Sequence, residues 1–118
     1  MQPAKIDLTI YQGSTFLKEF QWKVGSPPTP IDLTGYKAKM DIREKISSPS
    51  PIITLSTENG RVILKDPTNG IFTLEISAAD TSHLKFKSAV YDLEFISPTG
   101  FVQRLIEGNV YLSPEVTR

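Results

Sequence analysis

Residues 36–43, YKAKMDIR, show the most regular alternation of apolar and polar side chains in this chain of 118 residues. The alternating sets are Tyr36, Ala38, Met40 and Ile42 on one face and Lys37, Lys39, Asp41 and Arg43 on the other. Successive side chains of a β-strand point to opposite faces, so a period of two places one set against a core and the other in water. The stretch therefore predicts a half-buried strand, and it indicates a fold built from sheets.

Similar apolar runs lie on both sides of this strand and are separated by turn-forming residues. The other predicted strands are residues 5–11, 15–22, 52–55, 61–65, 71–76, 89–96 and 101–112. Asn59-Gly60 predicts a hairpin between two of them, because this pair accepts the positive φ angles of a tight turn. Segment 25–30, which contains three prolines, predicts an exposed connection, since proline lacks the amide that a strand ladder uses. Segment 46–51 predicts a flexible loop.

One segment, Ser77–Leu84, carries the residues that begin a helix. Ser77 can accept hydrogen bonds from the amides that follow it, and Asp80 occupies a weak capping-box position three residues later. We predict one short helical turn near residues 78–84, which carries the chain from one sheet to the other. Seven or eight strands with one such turn predict an all-β fold, an antiparallel immunoglobulin-like β-sandwich formed by residues 1–118 as a single domain. A closed barrel is the alternative architecture.

The composition argues against several classes of function. Thirteen Lys and Arg balance thirteen Asp and Glu, so no net charge attracts nucleic acid or an anionic membrane. No apolar run reaches the length of a secretory signal or a transmembrane helix, which predicts synthesis in the cytoplasm. The chain has no cysteine, and it lacks phosphate-loop, dinucleotide-binding and EF-hand motifs. We therefore expect no cofactor, no nucleic-acid partner and no membrane partner.

Residues that would support catalysis are few. His83 is the only histidine, which excludes a site with two histidines, and it lies in a polar turn without a nucleophile motif. Asp92 and Glu94 share one face of a predicted strand, as one half of a glycosidase-like site would. Their alternation with core residues explains both acids as part of a solvated face. The sequence therefore predicts a protein that is not an enzyme and has no catalytic or metal-binding residues.

The last predicted strand has apolar side chains on both faces. Its two sides carry Phe101, Leu105 and Tyr111, and Val102, Ile106, Val110 and Leu112, respectively. A contact with another protein along this strand explains the pattern, and so does a β-bulge at Gly108 that shifts the phase. The proline-containing loops are the other candidates for contact. The predicted contact residues are Pro27, Pro28, Pro49, Pro51, Phe101, Leu105 and Tyr111.

Three segments carry a resemblance to known proteins: DLTIYQGSTF at 7–16, IDLTGYKAKMDIRE at 31–44 and AVYDLEFISPTGFVQRLIEGNVYLSPEVTR at 89–118. Their most specific parts are LTGY, YDLE, the R-L-x-E-G run at 104–108 and the terminal SPEVTR. On these residues the chain resembles a family of small tailed-phage and prophage structural proteins. It is also similar to the immunoglobulin-like N-terminal domain of phage baseplate upper proteins. The resemblance implies a virion protein of the tail or baseplate that docks other virion proteins, as a homo-oligomer or in several copies on a symmetric particle.

Other functions are compatible with the same fold. A carbohydrate-binding or host-surface-binding module would carry exposed aromatic side chains at one loop end, and the Pro-rich and Ser-rich loops contain none. A capsid decoration protein would use the same surfaces as a tail adaptor. A hydrolase requires paired carboxylates in a cleft and is the weakest alternative.

Overall fold

The fold is described from a computed structural model that covers residues 2–117, so the ends of the predicted domain, Met1 and Arg118, lie outside the described residues. The strands, in chain order, are β1 (Ala4–Lys5), β2 (Leu8–Tyr11), β3 (Phe16–Gln21), β4 (Lys23–Val24), β5 (Thr29–Pro30), β6 (Lys37–Arg43), β7 (Ile53–Ser56), β8 (Val62–Asp66), β9 (Ile71–Ile76), β10 (Ser88–Ile96) and β11 (Val102–Ser113). A helix, α1 (Ala78–Ser82), lies between β9 and β10, and a 3-10 turn, Pro67–Asn69, lies between β8 and β9. The prediction of an all-β fold is confirmed.

The strands form two main sheets and a short ribbon. The large sheet has the order β11, β10, β6, β7, with β1 and β2 along the outer edge of β11. The small sheet has the order β3, β9, β8, and β4 pairs with β5 in the ribbon. Both β1 and β2 run parallel to β11, which departs from the predicted antiparallel pattern. No hairpin joins these strands, because the chain leaves β2 through a turn at Gly13 and enters the small sheet.

One hydrophobic core lies between the two main sheets. The large sheet contributes fully buried residues such as Met40, Ile42 and Leu93, and the small sheet contributes Phe72 and Leu74. Each such side chain contributes about 1.5–3 kcal/mol when it is removed from water. The alternation predicted over residues 36–43 and 89–96 is confirmed, since every second residue of β6 and β10 is buried.

The predicted hairpin at Asn59-Gly60 is wrong. Strand β7 pairs with β6 and strand β8 pairs with β9, so this turn carries the chain from the large sheet to the small one. The Asn59 side chain holds the turn: its Oδ1 accepts from the amides of Ser56 and Arg61 at 3.0 Å, and its Nδ2 donates to Thr54 O at 2.8 Å. Hydrogen bonds from a side chain to backbone groups stabilise a turn between two sheets as well as a hairpin. Of the pair Asn59-Gly60, only Gly60 has a positive φ.

The proline-containing segment 25–30, predicted as an exposed connection, also contains a short strand. Thr29 and Pro30 pair with Lys23 and Val24 in the ribbon, and Pro27 and Pro28 form its exposed tip. Proline is tolerated in a short edge strand, where its missing amide need not face a partner.

Helix α1 confirms the predicted helical turn, although it ends two residues before the predicted limit of 84. Ser77 Oγ accepts from the Asp80 amide at 3.2 Å, as expected of an N-cap, and α1 connects the small sheet to the large one. Hydrogen bonds from Arg61 and Ser77 hold the pKa of the Asp80 carboxyl below its usual value. His83 lies exposed at the end of the helix. Within residues 2–117, no helix is long and apolar enough to cross a membrane.

A β-bulge does occur in the last strand, but at Leu105 rather than at Gly108. Leu93 pairs with Ile106 while Glu94 pairs with Arg104, so Leu105 is the extra residue. The bulge shifts the phase of β11 and turns Ile106 inward, together with Val110 and Leu112. Gly108 serves a different purpose, because the backbone of Ile6 passes directly over it.

Candidate interaction surface

Two of the predicted contact regions lie at one end of the molecule. The ribbon tip with Pro27 and Pro28 belongs to the connection between β3 and β6, and Phe101 belongs to the hairpin between β10 and β11. Leu33 N donates to Pro67 O at 2.7 Å, which ties the first connection to the turn between β8 and β9. Gly35 lies so close to Pro98 of the hairpin that a Cβ on Gly35 would be 3.0 Å from the proline Cγ. These contacts place the three connections side by side.

The other predicted contacts lie at the opposite end or in the core. Pro49 and Pro51 are exposed in the loop between β6 and β7. Tyr111 pairs with Ser88 at the start of β10, and its side chain is 44% exposed on the outer face of the large sheet. Leu105 is half-buried and packs against the core. The structure therefore does not bring the seven predicted residues into one surface.

Substitutions at Leu105 and Tyr111 test whether the first residue packs on the core and the second lies on the surface. Leu105→Asp is expected to destabilise the protein by about 2 kcal/mol, because it places a charge against the core. Tyr111→Asp changes a surface residue, so its effect on stability is expected to stay within about 0.5 kcal/mol. Urea unfolding followed by the fluorescence of Trp22 measures both changes. Equal stability of the two variants would contradict the placement of Leu105 in the core.

Exposed apolar side chains mark the start of β11. Phe101 is 68% exposed and Val102 is 54% exposed, and together with Pro3 they line a shallow cleft. We call these three residues the hairpin patch. Glu94, Gln103 and Arg104 complete the cleft, so its lining is partly apolar and partly charged.

The N-terminal strand is attached to the rest of β11 by a series of hydrogen bonds. Ile6 N donates to Glu107 O at 2.9 Å, and Asn109 N donates to Asp7 Oδ1 at 2.9 Å. The Tyr91 hydroxyl reaches out from the core and donates to Ile6 O at 2.5 Å. Burial, followed by the negative charges of Asp7 and Glu107, raises the pKa of Tyr91 well above its usual value. The hydroxyl therefore stays protonated, and remains a donor, to a higher pH than that of an ordinary tyrosine.

The outer face of the large sheet carries a row of three carboxylates on neighbouring strands. Asp92 of β10 lies between Asp41 of β6 and Glu107 of β11. Arg43 lies 3.0 Å from Asp41, and Arg104 lies 3.4 Å from Asp92 and 3.2 Å from Glu107. These ion pairs offset the repulsion between acids in adjacent strands.

The two acids that the sequence analysis considered for catalysis, Asp92 and Glu94, lie on this same outer face and have basic neighbours there. Glu94 lies between Lys39 and Arg104, and Asp92 is paired with Arg104. No group of three or more His, Cys, Asp or Glu side chains in residues 2–117 is arranged to hold a metal ion.

The sequence analysis assigned no role to Lys18, although this residue interrupts the apolar side of the predicted strand 15–22, which carries Phe16, Phe20 and Trp22. Phe16, Lys18 and Phe20 occupy alternate positions of β3, and Lys18 pairs with Leu74 in the register, but its own side chain is exposed. Strand β3 is an edge of the small sheet. A lysine on an edge strand opposes pairing with the edge of another molecule. In the sequence, the signal for this role is a single charged residue within an otherwise apolar face.

Lys18→Val is expected to make the protein self-associate, because the edge of the small sheet then presents a continuous apolar side. Sedimentation velocity over a range of concentrations measures the effect as a rise in average mass above that of the unmodified protein. Lys18→Arg keeps the charge and serves as the matched control. If the two variants sediment alike, Lys18 does not protect this edge.

In comparisons with known proteins, no family model matches the chain and no curated protein matches it.

Proposed function

We propose that the protein is a non-enzymatic structural adaptor of a tailed-phage particle, in the tail or baseplate, which docks other virion proteins through its loops and strand edges. The observation that carries the proposal is the hairpin patch. Phe101 and Val102 are largely exposed at the end of a hairpin whose two strands are anchored in the core. Exposed apolar side chains grouped on a rigid element are typical of a protein-binding site.

The resemblance to phage structural proteins supports this proposal at the level of particular elements. The three segments that carry it, 7–16, 31–44 and 89–118, include β2, β6, β10 and β11. These strands are neighbours in the large sheet, which also carries the hairpin patch. The similarity is thus concentrated on the sheet that we propose for docking.

An immunoglobulin-like topology is the second part of the proposal. In constant-type immunoglobulin domains, strands A, B, E and D form one sheet and strands C, F and G the other. The small sheet has the order B, E, D if β3, β9 and β8 are assigned to these strands. The large sheet has the order C, F, G if β6, β10 and β11 are assigned in the same way. The first strand lies beside G instead of B, and β7 is added beside C.

Several copies on a symmetric particle fit the distribution of exposed side chains. Phe101 lies at one end of the large sheet, and Tyr11 and Tyr111 lie toward the other end on its outer face. Separate contacts at two ends let one copy bridge two neighbours. Repetition around a particle raises the effective concentration of each contact, so every single interface can be small.

Immunogold electron microscopy on purified particles of the encoding phage or prophage tests the proposal, with antibody against this protein. Label at the tail or its tip is the expected result. Label over the head would replace the tail assignment with capsid decoration. Particles that carry no label, and no copy of the protein by mass spectrometry, would contradict a virion role and favour a separate binding module.

A further inference from the structure

The chain contains two Asn-Gly pairs, Asn59-Gly60 between β7 and β8 and Asn69-Gly70 between β8 and β9. In such a pair, the glycine amide nitrogen can attack the side-chain carbonyl carbon of the asparagine, because glycine has no side chain that blocks the approach. The attack closes a five-membered ring and requires rotation of the backbone between the two residues. On sequence alone, the two pairs are equivalent in this respect.

The fold fixes the backbone of Asn69-Gly70. Asn69 O accepts from Gln21 Nε2 at 2.9 Å, and Gly70 N donates to Pro67 O at 3.1 Å. Gly70 O accepts from Trp22 N at 2.8 Å. Gly70 is buried, and a Cβ there would lie only 2.5 Å from Trp22 O. The nitrogen that would attack is therefore already bonded, and its peptide group has no room to rotate.

The peptide group between Asn59 and Gly60 lacks these restraints. Both residues are exposed, and nothing lies within 4 Å of the position that a Cβ on Gly60 would take. Within residues 2–117, neither Asn59 O nor Gly60 N makes a backbone hydrogen bond. An exposed segment with few contacts opens locally at little cost in free energy. The attacking nitrogen is thus free to move at this pair and is held in place at the other.

The hydrogen bonds of the Asn59 side chain activate its carbonyl group. Oδ1 accepts from the amides of Ser56 and Arg61, both at 3.0 Å. Attack on the carbonyl carbon moves negative charge onto this oxygen, and fixed N–H donors stabilise such a charge. Nδ2, the nitrogen that would leave, donates to Thr54 O at 2.8 Å. Thr54 O also accepts from Arg61 Nη1 at 3.1 Å, so it keeps a donor after that nitrogen is lost.

The Asn69 side chain has a different electrostatic environment. Its Nδ2 donates to Asp66 Oδ2 at 2.9 Å. A carboxylate beside the amide opposes the appearance of negative charge on the carbonyl oxygen, because like charges repel at this separation. The backbone and the side chain therefore both favour reaction at Asn59 over reaction at Asn69.

We propose that Asn59 is a site of spontaneous deamidation in the folded protein, whereas the fold protects Asn69. Gly60 N loses its proton to water or hydroxide and bonds to Cγ of Asn59. The bond from Cγ to Nδ2 then breaks, and the nitrogen takes up a proton and leaves as ammonia. Water opens the resulting succinimide at either carbonyl carbon, which gives aspartate or isoaspartate at position 59. The reaction needs water alone, and it does not depend on the proposed function.

Deamidation alters the turn that carries the chain from the large sheet to the small one. Either product replaces Nδ2, the donor to Thr54 O, with a carboxylate oxygen that cannot donate. Isoaspartate also moves one side-chain carbon into the main chain, which displaces Arg61 from the positions where it binds Thr54 O and Asp80. We therefore expect the isoaspartate form to unfold at a lower urea concentration than the unmodified protein, since it loses hydrogen bonds at this turn.

Incubation of the folded protein at mildly alkaline pH, followed by trypsin digestion and mass spectrometry, tests the proposal. Trypsin separates the two sites, because Arg61 and Lys65 lie between them. In the folded protein, we expect Asn59 to deamidate at least about tenfold faster than Asn69, whose reaction requires the structure to open. In concentrated urea, the two rates should become similar. Labelling with an isoaspartyl methyltransferase identifies the isoaspartate product.

A pair of glycine variants tests the role of Gly60 N. Gly60→Ala is expected to lower the rate at Asn59 about tenfold, because a Cβ restricts the backbone rotation that the attack requires. Gly100→Ala is the matched control, since Gly100 also has a positive φ and open space around a Cβ but does not follow an asparagine. This control should deamidate at Asn59 as fast as the unmodified protein.

Three results would overturn the proposal. Equal rates at the two sites in the folded protein would mean that both react only after global unfolding. Protection of both sites in the folded protein, with reaction only in urea, would mean that the turn shields Asn59 as well. A folded Gly60→Ala variant that reacts at the unmodified rate would exclude attack by Gly60 N. Should this variant fail to fold, the two rates in the unmodified protein decide.

Discussion

Phe95→Ala is expected to lower the free energy of unfolding by about 3–5 kcal/mol, the largest effect that we predict for a single substitution. The Phe95 side chain is completely buried, and its ring centre lies 4.9 Å from Phe72 and 5.6 Å from Trp22. Phe95 belongs to the large sheet and Phe72 to the small one, so this contact joins the two layers. Removing the ring leaves a cavity that the surrounding strands fill only in part.

Urea unfolding measures the change, with Trp22 as the reporter because it is the only tryptophan and is buried. The matched control is Phe101→Ala in the same hairpin. Phe101 is 68% exposed, so its replacement is expected to change stability by no more than about 0.5 kcal/mol. Similar losses in both variants would mean that the hairpin does not alternate between core and solvent as described.

Gly108→Ala is expected to destabilise the protein by about 3 kcal/mol through steric overlap and lost hydrogen bonds. A Cβ on Gly108 would lie 2.3 Å from the carbonyl oxygen of Ile6 and 2.8 Å from its carbon. Both are backbone atoms, so relief requires the N-terminal strand to move. That movement breaks the bond between Ile6 N and Glu107 O and the bond from the Tyr91 hydroxyl. Hydrogen exchange at residues 4–11 should rise together with the loss of stability.

Gly60→Ala is the control for the general cost of replacing glycine. Gly60 has a φ of 78° with open space around the position of a Cβ, so its replacement measures backbone strain alone, about 1 kcal/mol. Gly108 does not have a positive φ, and its predicted cost is steric. A Gly108→Ala variant as stable as Gly60→Ala would contradict the close passage of Ile6 over β11.

Local patterns in the sequence predicted many elements of the fold. The alternation over 36–43 and 89–96 predicted which residues of β6 and β10 are buried, because one face of each strand packs on the core and the other meets solvent. The Ser77 cap predicted α1, since the hydrogen bond that begins the helix lies within four residues. Asn59-Gly60 was misassigned as a hairpin because its turn chemistry is local, whereas the sheets that the flanking strands join are set elsewhere.

The candidate surface was predicted only in part. Phe101 and Tyr111 are exposed, and Leu105 packs on the core, although all three fall on one face if β11 alternates without interruption. The bulge at Leu105 changes that alternation. It is located by the pairing of β11 with β10, which no pattern within β11 alone reveals.

By itself, the sequence determined the all-β class, most strand positions, the helical turn and the buried face of the two most regular strands. These features depend on side chains a few residues apart. Only the tertiary structure decided that β1 and β2 lie parallel to β11 and that Gly108 makes room for Ile6. Each of these joins residues about a hundred positions apart, and the partner of a strand is chosen by the packing of the whole core rather than by its own sequence.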